Sequence, residues 1–164
     1  MRRLWGTAAI SAALGVAACA DAVAVKRSEI AGGYTGWVWV QTLAQNGTNA
    51  VAIRNSPFPD TAVLAALQTR YSGAQYRFGL GRPADWNGYT VIIGFGRPAA
   101  GTGDLCKGQT LLPADPGKMT VTAAYCYGDI LLTEAQGWTG AADAAEDWQF
   151  TNLVGALVAE LFAD

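Results

Sequence analysis

Tyr89-Thr90-Val91-Ile92-Ile93-Gly94-Phe95 is the stretch on which the fold turns. It is nearly continuous in apolar and β-branched residues. A strand reads this way when both of its faces are covered, so it belongs at the centre of a sheet. Further along, Met119 to Cys126 reads as a second strand, Gly128-Asp129 can turn the chain back, and Ile130-Leu131-Leu132-Thr133-Glu134 is its partner. In the other direction, Ala50-Val51-Ala52-Ile53-Arg54 and Trp37-Val38-Trp39-Val40-Gln41-Thr42-Leu43 read as two strands around the reversal Asn46-Gly47. Ala74-Gln75-Tyr76-Arg77-Phe78 alternates like a half-buried strand.

Two helices separate and close these strands. Asn55-Ser56-Pro57-Phe58-Pro59-Asp60 breaks the first pair, because two closely spaced prolines hold the chain extended. Asp60 is the expected N-cap of a helix from Thr61 to Tyr71, with Val63, Leu64, Leu67 and Tyr71 at helical spacing and Gly73 to stop it. The stretch Gly96 to Lys118 is a long Gly- and Pro-containing loop. A last helix is expected from Ala142 to Phe162. Phe150, Leu153, Val154, Leu157, Val158 and Leu161 form one broad apolar stripe on it. The order β-β-α-β-β-loop-β-β-α predicts an α+β fold. Its sheet is expected to be mainly antiparallel, with about five to six strands and both helices packed on one face. Residues 37–164 are expected to form this single domain.

The chain before it carries the address. Arg2 and Arg3 open a short apolar run that ends in Val16-Ala17-Ala18-Cys19. A basic start, an apolar core and small residues at the exit describe a secretory signal peptide. The small residues leading into a cysteine resemble the lipobox of bacterial lipoproteins. That resemblance implies a signal peptide over 1–18, a diacylglycerol on the sulfur of Cys19, and Cys19 as the mature N-terminus. Ordinary cleavage at Ala18-Cys19-Ala20 or Ala22-Val23-Ala24, and an uncleaved membrane anchor, are the competing readings. Residues 19–36 are expected to form the lipidated cysteine and a flexible tether. Ala20, and not Asp, follows the cysteine, which by resemblance to the known sorting rule points to the outer membrane.

Three cysteines are present and no histidine. With Cys19 assigned to lipid, Cys106 and Cys126 remain, and an even pair in an exported chain reads as a disulfide. It would pin the Gly-rich loop to a strand.

Composition narrows the function classes. The chain has 11 basic and 13 acidic residues, a formal charge of −2. Loss of Arg2 and Arg3 with the signal takes that to −4. Such a body argues against nucleic-acid binding, which needs clustered Lys and Arg. Absence of histidine removes Ser-His and Cys-His nucleophile pairs and His-based zinc sites. Gly94-Phe95-Gly96-Arg97 and Gly101-Thr102-Gly103 neither open a helix nor complete a nucleotide motif. No cofactor and no metal are expected; Asp104 and Asp115 lack any EF-hand spacing. The carboxylates Asp143, Glu146 and Asp147 could serve a carbohydrate-active enzyme, but they read first as charges at a helix start. Trp86 and Trp138 sit beside glycines in expected loops and are candidate ligand or partner contacts.

Asn55-Ser56-Pro57-Phe58-Pro59, the strand Tyr89–Phe95, and Ala123-Ala124-Tyr125-Cys126 with the last helix resemble small proteobacterial lipoproteins of uncharacterised function. That resemblance implies a lipobox signal and one small periplasmic α+β domain, with no catalytic residues to carry over. The expected role is a non-enzymatic binding or accessory module. It would be held to the membrane through Cys19, facing the periplasm and a protein partner of the envelope. The alternatives are a glycan or small-ligand binder using the loop tryptophans, and an enzyme using the carboxylates that start the last helix.

Overall fold

The central strand, β4 (Tyr89–Phe95), lies between β7 (Lys118–Tyr127) and β2 (Asn49–Arg54). Every residue from Thr90 to Phe95 is buried. The computed structural model describes residues 23–30, 48–70, 77–81, 88–99 and 105–163. The expected strand Trp37–Leu43 and the Asn46-Gly47 reversal lie outside them, as does most of the expected strand Ala74–Phe78.

The sheet has six described strands in the order β1-β8-β7-β4-β2-β3. Beside those named, these are β1 (Ala24–Ile30), β3 (Phe78–Leu80) and β8 (Ile130–Gly140). The α+β class holds, but the sheet is mixed rather than mainly antiparallel. β1, β8, β7 and β4 pair antiparallel, while β2 is parallel to both β3 and β4. Helix α1 (Asp60–Arg70) connects β2 to β3, and a helical connection brings the next strand back in the same direction. The expectation of a mainly antiparallel sheet missed this crossover, while the expected pairing of Met119–Cys126 with Ile130–Glu134 is present as β7 and β8.

Three boundaries also differ. Residues 24–30, expected within the tether, form the edge strand β1. Val25 packs toward the core while Lys26 is exposed, an alternation that a flexible spacer does not need. β8 runs on to Gly140, six residues past the expected end at Glu134. The long loop carries a small ladder of its own, β5 (Arg97–Pro98) against β6 (Leu111–Leu112).

Both described helices cover one face. Helix α2 (Trp148–Phe162) buries Phe150, Leu153, Val154, Leu157, Val158 and Leu161, the expected stripe. They meet Val91, Ile93 and Phe95 of β4 and Val121, Ala123 and Tyr125 of β7. Val63, Ala66 and Leu67 of α1 complete the cluster beside Val51 and Phe78. Phe58 seals its end, with its ring edge-on to Phe150 at 5.2 Å and to Phe95 at 6.4 Å. Helix α2 begins at Trp148, not Ala142. The Asp147 carboxylate accepts from the amides of Asp143 and Ala144, at 2.8 and 3.1 Å, and so holds residues 143–147 in a turn ahead of the helix.

Candidate functional site

Among the described residues, no helix covers the second face of the sheet. Ile92, Ala124 and Cys126 are covered there by Leu105, Cys106 and Leu111 of the long loop. Cys106 and Cys126 are joined by a disulfide with their Cα atoms 5.7 Å apart. Gly94 makes the close approach possible, since a Cβ there would collide with Leu111 and stand 2.9 Å from Leu105 Cδ2. The Gly96 amide donates to Thr120 O at 2.8 Å, and the Thr122 hydroxyl donates to Gly96 O at 3.0 Å. The loop is thus fastened to β7 at several points, and the lower part of the second face stays open.

That open part is a polar cleft of about 220 Å³ lined by Arg97, Asp115, Lys118, Thr120, Gln136 and Trp138. Strand pairing builds its floor. Thr120 lies opposite Trp138 and Thr122 opposite Gln136 across β7 and β8. With a side-chain period of two, Lys118, Thr120, Gln136 and Trp138 all point to this face. Arg97 comes from β5. Asp115 comes from the turn before β7, where its carbonyl accepts from the Lys118 amide at 3.1 Å. Trp138 is 40% exposed, an aromatic wall left open to solvent.

A larger, more apolar cleft of about 490 Å³ adjoins it and shares Lys118 and Thr120. Pro57, Phe95, Leu111, Leu112, Pro113 and Met119 are among its walls, with Ala141 and Ala142 at its rim. The two clefts meet at Lys118 and Thr120, at the start of β7.

The arrangement suits recognition of a hydroxylated, partly anionic molecule. An exposed indole face can stack on a sugar ring. The Asp115 carboxylate, the Gln136 amide and the Thr120 hydroxyl can exchange hydrogen bonds with hydroxyl groups. Arg97 and Lys118 can hold a phosphate or carboxylate.

Trp138 stands in this cleft on a strand, not in the expected loop. Trp86 and Cys19 lie outside the described residues. Asp143 and Glu146 are exposed and line neither cleft. Asp115, considered above with Asp104 for a cation, instead borders the Trp138 cleft; Asp104 lies outside the described residues. Among the described residues no group of three His, Cys, Asp or Glu could hold a metal ion. None of the helices there is long and apolar enough to cross a membrane. Sequence reasoning missed Arg97, Lys118, Thr120 and Gln136. The available signal was the polar stripe at every second residue of β7 and β8, namely Lys118, Thr120 and Thr122 with Gln136 and Trp138.

Among the described residues, the fold and cleft define an α+β domain with helices on one sheet face and a cleft on the other. No family model matches the chain, and no curated protein matches it. Among solved structures it is similar to the PelC dodecamer from Paraburkholderia phytofirmans. The match has 12% identity and a TM-score of 0.42, over 87% of this chain and 100% of that one. A point variant of that dodecamer matches with 10% identity and a TM-score of 0.37, over 85% of this chain and 94% of that one.

Proposed function

We propose that this chain is a non-enzymatic, lipid-anchored binding module of the bacterial envelope, with a glycan as the ligand of its Trp138 cleft. Anchoring is through Cys19, with the domain facing the periplasm from the outer membrane. The observation that carries the ligand reading is Trp138, held open by β8 with Gln136, Thr120 and Asp115 around it. Sugar-binding surfaces need that combination: a flat apolar ring for the sugar face and short polar groups for its hydroxyls. A protein partner of the envelope is the second reading, favoured by the apolar cleft of Pro57, Phe95, Leu112 and Pro113.

The test is a fluorescence titration with soluble cell-wall glycan fragments. Saturable quenching is expected, and Trp138→Phe is expected to remove it, because Trp138 lines the cleft and Trp148 does not. Quenching retained in W138F, or none in the native protein, contradicts it. For the second reading, crosslinking in intact envelopes should recover one specific partner, and recovery of none would oppose it.

A further inference from the structure

Resting on that glycan reading and on lipidation of Cys19, we propose that the cleft takes the phosphorylated saccharide headgroup of a glycolipid in the membrane that holds the protein's own anchor. Three observations lead there. The first is distance. β1 pairs antiparallel with β8, and its first residue, Ala24, stands opposite Trp138. Ala24 follows Cys19 by five residues. That length of chain spans at most about 18 Å even when fully extended. The acylated sulfur lies at the membrane surface, so the Trp138 end of the sheet is held within that reach of the headgroups. The other end is far from it. The β7–β8 turn at Gly128-Asp129 lies beyond Ile130, eight residues along β8 from Trp138, or roughly 27 Å.

The second observation is charge. The body is acidic, yet Arg97 and Lys118 meet a single carboxylate, Asp115, in the cleft. Lys26 adds a third cation, opposite Gln136 on β1 and exposed on the same face. A phosphate on the sugar fits that excess. The third is Trp138 itself. An exposed indole beside cationic side chains suits the layer between water and acyl chains, where its ring can stack on a sugar and its N–H stays solvated.

The experiment uses the mature, lipidated chain reconstituted in vesicles of phosphatidylethanolamine, with Trp138 emission read as the difference between native protein and W138F. One set of vesicles contains a bisphosphorylated-disaccharide glycolipid. A second contains phosphatidylglycerol at equal charge. A third is plain and receives the same sugar phosphate without acyl chains. The expected result is a saturable emission shift with the glycolipid, and a requirement for about tenfold more of it in the double variant R97Q/K118Q. Free sugar phosphate is expected to act only at much higher bulk concentration. An equal shift with phosphatidylglycerol overturns the proposal in favour of surface charge alone. Equal potency of the free sugar phosphate overturns the membrane source. If soluble neutral glycan quenches Trp138 while glycolipid vesicles do not, this proposal fails and the cleft reading stands. If neither acts, both fail.

Discussion

Ala24 lies opposite Trp138 across the β1–β8 ladder. The strand nearest the proposed anchor is therefore paired with the residue that opens the polar cleft. This relationship depends on β1 staying in register, and Gly137, opposite Val25, packs closely against β1 and α2. A Cβ at Gly137 would stand 2.6 Å from Leu153 Cδ1 of α2 and 3.0 Å from both Ala24 O and Val25 Cγ2.

Gly137→Ala is accordingly expected to destabilise the fold by about 1–3 kcal/mol, the usual cost of overfilling a packed core. Leu153 is fully buried, and one of the close atoms is backbone, so the crowding has little room to relax. A urea melt measures the change; an unaltered midpoint would show that β1 and α2 are more loosely packed than described.

Removing the Cys106–Cys126 bridge should lower stability by about 3 kcal/mol for a loop of this length. The double variant C106A/C126A should therefore melt well below the native protein under non-reducing conditions, and reductant should lower only the native midpoint. Leu111 rests against Gly94 through this loop, so protease sensitivity between residues 105 and 112 should rise with it. Equal midpoints with and without the bridge would contradict the loop's role as a cover for the second face.

Phe150 is fully buried, edge-on to Phe58 and stacked on Phe95 with ring centroids 5.9 Å apart. Phe150→Ala is expected to cost about 3–5 kcal/mol. A double-mutant cycle with Phe58→Ala should return a coupling of about 0.5–1.5 kcal/mol. Strict additivity would mean that the Phe58 loop does not seal the core.

Thr139 runs the other way. Its hydroxyl is buried without a hydrogen-bond partner among the described residues. Thr139→Val keeps the shape and removes the unsatisfied group, so stability should hold or rise by about 1 kcal/mol. A loss of more than that would reveal a partner for the hydroxyl.

How far these features were legible in the sequence follows from their range. The core of β4 and the stripe of α2 are local patterns, and both stand where Val91, Ile93, Leu153 and Leu157 placed them. The disulfide was legible too, because Cys106 and Cys126 are the pair left once Cys19 is assigned elsewhere. Strand direction was not, since the parallel pairing of Val51 with Val91 is made across the α1 crossover and leaves no mark in either strand. β1 was missed for a related reason. Its charged residues Lys26, Arg27 and Glu29 suit an edge strand as well as a tether, and only pairing with β8 separates the two. Of the cleft, Trp138 was singled out, but Arg97 and Asp115 reach it from separate loop segments that only the fold brings together.

The most direct measurement is an NMR spectrum of ¹⁵N-labelled tryptophan indoles during addition of soluble cell-wall glycan fragments, with W138F used to assign the Trp138 signal. Trp148 is the internal control. It is 54% exposed, more than Trp138, but it begins α2 and lines neither cleft. The Trp138 signal is expected to move to saturation while that of Trp148 stays in place. A stationary Trp138 signal, or equal movement of both, would contradict the assignment of the cleft.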